Sequence, residues 1–360
     1  MSPGEQPHFV PDSDIRVNGA RLHTEIAHDI AGIELVQEPN TLDHLRISIA
    51  QAADPGVAIS LGARTQDPLL VFVEGSAIEL SLGYVDALAR VFEGEVTGVV
   101  AIFPEDGAST LEVHCHSYMH RLRRSARTKT YLKQKDTALA LQLGRQAGLR
   151  VQADDSKVTH DFVLQYNQTD LEFLLERASR IGFELIADGK TLQFRKAGGT
   201  GASGPKLTYG GGSSPLLSVT LREELLGQGD SVTVRSVDLK GKAIVGKAAA
   251  AVVTPDAARS APTLSKRAFG ATETFVVDRP LATKADADAL AASILNGRAR
   301  GFVTGSGRSI GLPSLRAGGV IELDGVGKKF NGKYYVAQST HVVGDDGYYT
   351  SFRVRRNAVG

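Results

Sequence analysis

The run Gln165–Lys196, QYNQTDLEFLLERASRIGFELIADGKTLQFRK, carries more local instruction than any other stretch of the chain. Thr169 is placed to cap a helix, and Glu172 three residues on can close a capping box. Leu171, Leu174, Leu175, Ala178 and Ile181 fall on one helical face, and Gly182 ends it. Phe183–Ala187 and Lys190–Arg195 then read as two strands across Asp188-Gly189, a strong hairpin signal. A polar extended lead, a capped helix and a tight hairpin make one compact α/β unit.

Around it the pattern is mostly β. Leu45-Arg46-Ile47-Ser48-Ile49 alternates as a half-buried strand should. Val71–Val73 opens a meander through Ala77–Leu82, Arg90–Phe92, Glu95–Phe103 and Leu111–Ser117, with turns expected at Glu93-Gly94 and Glu105–Gly107. Asp136 is expected to cap a helix running through Ala147. Beyond Ala197–Pro205, a glycine-rich linker, strands are expected at Leu217–Arg222, Ser231–Asp238 and Phe275–Val277. Thr283 should cap a helix to about Arg298. A last meander covers Val320–Leu323, Lys333–Val343 and Gly347–Arg355. Residues 1–14 read as a flexible arm and 241–271 as a long excursion or mobile loop.

The two meanders echo each other. Gly75–Leu80 (GSAIEL) matches Gly318–Leu323 (GGVIEL), Phe92-Glu93-Gly94 matches Phe330-Asn331-Gly332, and Asp106-Gly107 matches Asp346-Gly347, in the same order. An internal duplication follows as the expectation.

Bulk properties exclude several classes. The formal charge of +1 gives no global pull towards nucleic acid or an anionic membrane. No apolar run approaches the ~18 residues of a spanning helix. The start is polar and proline-bearing, unlike a signal peptide. One cysteine, Cys115, rules out an internal disulfide framework and suits synthesis in a reducing compartment.

Four motifs invite a chemical reading. Gly307-Arg308-Ser309-Ile310-Gly311 fits G-x-S-x-G, with Asp324 and His341 following in hydrolase order, so a serine hydrolase using Ser309 is one alternative function. That elbow needs a helix after the serine, which Pro313 and Gly318-Gly319 deny, and a turn is expected instead. Gly199–Gly204 fits G-x-G-x-x-G but continues into an extended segment, so it reads as linker and not as a dinucleotide loop. His114 and His116 share one face of a strand, with His120 close by, short of the three or four ligands zinc requires. Residues 121–135 hold seven basic side chains and no acid. A nucleic-acid-binding module through Arg121–Lys135 is therefore a second alternative. With Tyr131 the only aromatic there, a solvated face or contact with an acidic neighbour reads better. No catalytic, cofactor or metal residue is assigned.

From Ser117-Tyr118-Met119-His120-Arg121-Leu122 to the C-terminal Gly347-Tyr348-Tyr349-Thr350-Ser351-Phe352, the chain resembles the phage late control D and VgrG-like tail hubs. Gln165-Tyr166 leading to Thr169-Asp170, Tyr131–Leu149, Gly311-Leu312-Pro313, Gly318–Gly327, Phe330–Tyr335 and His341 carry the likeness. The resemblance implies an α+β, mainly β fold, with two small antiparallel β-barrels of tail-hub type and an inserted helix–hairpin module. The expected division is 1–14 arm, 15–120 first barrel, 121–197 helix–hairpin module, 198–205 linker and 206–360 second barrel. The second barrel carries the 241–271 excursion and the 283–298 helix. It further implies a non-enzymatic homotrimer without cofactor, adapting a six-fold inner tube to a three-fold spike. Other baseplate proteins are further partners, and no membrane insertion or specific nucleic acid is expected. No β-helical needle follows the hub region, so the spike is expected to be a separate polypeptide. Synthesis and assembly are expected in the cytoplasm, within a phage tail or contractile injection particle.

Overall fold

The computed structural model describes residues 10–50, 68–198, 203–210, 215–237, 240–249, 259–277, 281 and 283–360. The protein is mainly antiparallel β, and most of its strands belong to one 13-stranded sheet. We label the elements that build the argument in chain order. The first set is β1 (Pro11–Val17), β2 (Ile30–Gln37), β3 (His44–Ala50), β4 (Ala77–Tyr84), β5 (Ala87–Ile102) and β6 (Thr110–Ser117). Their alternating residues point one way into a core that includes Ile33, Leu35, Leu45, Ile47, Ile49, Leu80 and Val113.

The helix–hairpin unit follows. It comprises β7 (Ala126–Lys135), α1 (Asp136–Gln146), β8 (Arg150–Ala153), β9 (Thr159–Thr169), α2 (Asp170–Ile181), β10 (Phe183–Asp188) and β11 (Thr191–Lys196). The capping box of Thr169 and Glu172 is formed, and Gly182 ends α2 in the left-handed region at φ 69°. β9 pairs with β7, and β11 lies between β10 and β8. Leu139, Leu143, Leu174, Leu185 and Phe194 fill a separate core.

The remaining strands are β12 (Ser203–Thr208), β13 (Leu216–Glu223), β14 (Ser231–Val237), β15 (Ala243–Ala248) and β16 (Glu273–Val277), with helices α3 (Ala261–Phe269) and α4 (Lys284–Ala299). Then come β17 (Val303–Ile310), β18 (Val320–Asp324), β19 (Gly332–Gly344) and β20 (Gly347–Arg356). β14, β15 and β16 form a small sheet under α4, with Val232, Val234, Leu290 and Leu295 between them.

The duplication is visible in the ladder. β2, β3, β6, β5 and β4 lie side by side in that order, and so do β13, β17, β20, β19 and β18. The registers correspond residue for residue. Ile78 faces Gly94 and Leu80 faces Phe92, as Ile321 faces Tyr334 and Leu323 faces Gly332. Two β-bulges repeat as well. Ile30/Gly32 on β2 answers Leu216/Ser218 on β13, and Val96/Gly98 on β5 answers Val336/Gln338 on β19. A bulge in each of two equivalent places is hard to reach by convergence. The GSAIEL/GGVIEL echo is in true register. The Phe92/Phe330 echo is two residues out, since Phe92 is equivalent to Gly332.

Other expectations are corrected. The expected turn at Glu93-Gly94 is the middle of the 16-residue strand β5. A Cβ on Gly94 would lie 2.2 Å from the His116 carbonyl oxygen, so glycine is there to let strands approach, and the turn falls at Val85-Asp86. The arm's residues 11–14 are strand, and 1–9 lie outside the described residues. The linker's last residues open β12, which pairs with β18, while 199–202 are not described. The excursion holds β15 and α3, with 250–258 not described. The two β units meet where β19 pairs with β2, in one sheet.

Two glycine substitutions should therefore move stability in opposite directions. Gly94→Ala should cost about 1–3 kcal/mol by overpacking. Gly297→Ala, inside α4 with nothing within 4 Å of the added carbon, should gain up to ~1 kcal/mol. Urea unfolding of the two variants checks the signs.

Candidate functional site

Ser309 is the next-to-last residue of β17, fully buried, facing Leu216 on one side and Thr350 on the other. Its hydroxyl donates to the Thr350 carbonyl at 3.2 Å. The expected turn is absent. A Cβ on Gly307 would sit 2.4 Å from the Phe352 ring, so this glycine makes room for an aromatic in the core. His341 is also fully buried. Its Nδ1 lies 2.8 Å from the Tyr348 hydroxyl and 3.1 Å from that of Thr350, and burial pushes its pKa down to about 3, which keeps it neutral. Asp324 pairs with Lys206 at 2.9 Å and accepts from Asn331. The three residues hold strands and a turn, and nothing places them around a substrate.

The histidines do meet, with one addition. His44 on β3 stacks between His114 and His116, with ring centroids 5.2 and 4.9 Å away. His44 Nε2 lies 3.0 Å from His114 Nδ1. Burial, then the neighbouring rings, lowers the His116 pKa to about 4. His120 instead joins Arg121 on Glu95. No metal-holding group of three or more ligands occurs among the described residues. His44 was not visible beforehand because its place beside His116 comes from the β3–β6 register. On the same polar face Arg46 bridges Glu34 and Glu112.

The basic run is largely committed within the chain. Arg121 pairs with Glu95, Arg127 with Asp170 and Lys135 with Asp155, while Lys129 lies over the Tyr131 ring. Tyr131 within the run is buried, and Lys133 breaks the strand's alternation with φ 50°. Arg123, Arg124 and Lys133 remain exposed.

Asp136, expected as a helix cap, is instead the first residue of α1 and 1% exposed. It accepts from Arg177 and pairs with His160 Nε2 at 3.1 Å, while His160 Nδ1 faces Asp286 at 3.3 Å. Asp286 belongs to the capping box of α4, so this cluster locks the helix–hairpin unit to the β14–β16 unit. Burial lowers the His160 pKa, but hydrogen bonds to Asp136 and Asp286 outweigh it and lift the pKa to about 9. A separate cavity of about 210 Å³ opens between β2 and β10, lined by Gln37, Asp43, Asp188, Arg195 and Arg316. Burial raises the Asp43 pKa to about 7 against the help of Gln37 and Arg316.

The sheet edges are the last candidate. Among the described residues, Val219–Glu223 of β13 have no strand on the side away from β17, and Val99–Ile102 of β5 have none on the side away from β6. Val100, Ile102 and Phe103 are 45%, 43% and 59% exposed there. No helix of the described chain is long and apolar enough to cross a membrane.

The profile of the family described as the Alg8 N-terminal domain matches residues 9–345. Among curated proteins none matches the sequence. A 43 kDa prophage tail protein from Shewanella oneidensis superposes with a TM-score of 0.72 at 14% identity, covering 97% of this chain and 100% of the other. A tail protein from Neisseria meningitidis gives 0.69 at 11% identity over 97% of each chain. An Escherichia coli component of the type VI secretion system gives 0.58 at 14%, over 94% of this chain and 76% of that one. At these identities the likeness is one of fold, and the fold is tail-hub-like.

The His160 cluster sets a pH dependence. Its folded pKa, raised above the ordinary 6.5, contributes stability fully present below pH ~6.5 and lost as pH rises through about 9. Unfolding followed from pH 6.5 to 9.5 should show wild type losing roughly 2–3 kcal/mol more than His160→Gln. Equal slopes would mean the clamp is not ionised in the folded state.

Proposed function

On the premise that the chain belongs to the family described as the Alg8 N-terminal domain and has a tail-hub-like fold, we propose that it is a structural hub subunit of a contractile phage tail or contractile injection system. It acts by assembly, without turnover. Three copies form a ring whose six similar half-sheets meet a six-fold inner tube on one side, while the three-fold repeat of whole chains meets the spike on the other. The observation that carries this reading is the register-matched duplication, bulges included, within one sheet. A chain that presents nearly the same backbone twice lets three molecules offer six related surfaces, and cyclic closure is the common outcome for homo-oligomers. The names of similar folds agree with it: a prophage tail protein, a second bacterial tail protein and a secretion-system component.

The two excursions suit a different task. The helix–hairpin unit, 121–197, and the α4 unit project from the sheet connections, and we assign them to the outside of the ring, facing other baseplate proteins. The domain division is then two half-sheets, 15–120 and 206–360, each interrupted or followed by such a unit. The spike and inner tube are the remaining partners, and assembly takes place in the cytoplasm. Burial of Ser309 and the internal pairing of Arg121, Arg127 and Lys135 speak against the hydrolase and nucleic-acid alternatives.

Native mass of the purified chain, alone and then with candidate tube and spike proteins, tests the proposal. The expected species is a trimer that takes up one spike trimer and one tube hexamer. A chain that stays monomeric beside both partners would remove the hub reading.

A further inference from the structure

The joint between the halves is a five-residue antiparallel pairing. Ser339 faces Gln37, Thr340 faces Val36, His341 faces Leu35, Val342 faces Glu34 and Val343 faces Ile33. It closes the core on both sides: Ser339, His341 and Leu35 are fully buried, Ile33 is 2% and Gln37 4% exposed. The repeat assigns each of these residues a counterpart in the other half. The bulges at Val96/Gly98 and Val336/Gln338 make Ser339–Val343 of β19 equivalent to Val99–Phe103 at the end of β5. The bulges at Ile30/Gly32 and Leu216/Ser218 make Ile33–Gln37 of β2 equivalent to Val219–Glu223 of β13.

Those counterparts are the two bare edges. They cannot meet within one chain. The sheet runs from β13 through β17, β20, β19, β2, β3 and β6 to β5, which puts one bare edge in each half on either side of the internal joint. Each edge is half-clothed, as a joint awaiting its partner would be. Val219 and Leu221 pack against the second core yet are only partly buried, and Val99 does the same against the first. Val100, Ile102 and Phe103 form an exposed apolar tip that a monomer would have to protect against unwanted pairing.

We propose that the end of β5 pairs antiparallel with β13 of a second copy of this chain. The register is Val99 with Glu223, Val100 with Arg222, Ala101 with Leu221, Ile102 with Thr220 and Phe103 with Val219. This contact reproduces between subunits the joint that β19 and β2 make inside one. It is heterologous, edge to different edge, so each added copy leaves the same two edges free until the ring closes. Joints within and between chains alternate, and the sheet runs unbroken round the assembly. The inference rests on the ring proposed above and specifies how its subunits meet.

Engineered disulfides read the register directly. Ile102 and Thr220 are exposed, and opposed residues of an antiparallel pair lie within disulfide reach. The native Cys115 is fully buried and does not compete. Under mild oxidant, a mixture of full-length chains carrying Ile102→Cys and chains carrying Thr220→Cys should give a covalent dimer. The double variant should give a covalently closed ring of three chains on a denaturing gel. Ile102→Cys mixed with Ser218→Cys, two residues out of register, should cross-link at least tenfold less. Ile102→Lys should lower the native mass to that of one chain while circular dichroism stays that of wild type. A trimer that yields no disulfide, or yields it only in the shifted register, overturns this pairing and leaves the ring standing. A chain that stays monomeric with tube and spike present and gives no disulfide overturns both.

Discussion

The pairing of β19 with β2 is the contact on which the rest of the molecule depends. Each half brings five strands and its own core, and each would otherwise end in an open edge beside a half-covered apolar interior. Joining them closes both cores at one stroke. The buried polar groups at the joint show how tightly it is drawn. His341, fully buried, stays neutral and so can serve Tyr348 and Thr350 with one ring nitrogen without a charge to solvate. Ser339, equally buried, accepts from the Ala317 backbone. Gln37 donates to Asp43 and to the Val91 carbonyl. Buried polar groups with specific partners at a sheet junction favour one register where an all-aliphatic seam would tolerate several.

A pairing of five residues does not by itself set the angle between two half-sheets, and the helix–hairpin unit supplies a brace. From the first half, Asn40 pairs with Leu185 of β10 through both backbone and side chain. From the second half, the Tyr335 hydroxyl donates to Glu184 at 2.6 Å, and Arg195 reaches the Gly318 carbonyl. The same hairpin therefore holds both halves. Burial raises the Glu184 pKa even with Tyr335 and Arg195 beside it, so the carboxyl is held by geometry more than by charge. The Asp136–His160–Asp286 cluster and the Ser293–Ser179 hydrogen bond extend the brace to α4. What looks like an insertion on a β protein acts as the strut of its central joint.

Local signals were legible wherever they were self-contained. The Thr169 capping box, the Asp188-Gly189 hairpin, the Thr283 helix and the strands of both meanders could be read from neighbours in sequence, because caps, turns and alternation act over a few residues. What could not be read came from distance. Glycine at 94 looked like a turn, and only the β6 backbone lying against it shows otherwise. Asp136 looked like a cap, and its partners His160 and Arg177 lie 24 and 41 positions away. The His44 stack and the internal joint belong to registers between strands far apart in the chain, which no local pattern encodes.

The repeat itself was faint for a physical reason that also explains the false hydrolase motif. Ile47 faces Val113 in the first half, and at the equivalent place Gly307 faces Phe352. Ile49 faces Leu111 where Ser309 faces Thr350. In the first pair of positions one large side chain has moved across the ladder, from two aliphatics to an aromatic over a glycine, with similar volume filled. Two glycines of the false nucleophile elbow thus make room for aromatic rings, Gly307 for Phe352 and Gly311 for Tyr348. Backbone register, down to the bulges, was held while side chains diverged. That is the pattern expected if neighbours read the strands as equivalent and the faces as different. The polar face of the first half carries the His44–His114–His116 stack and the Glu34–Arg46–Glu112 bridges, while the second carries Thr220, Ser306, Arg308 and Arg353. The two halves thus carry one backbone under two different surfaces.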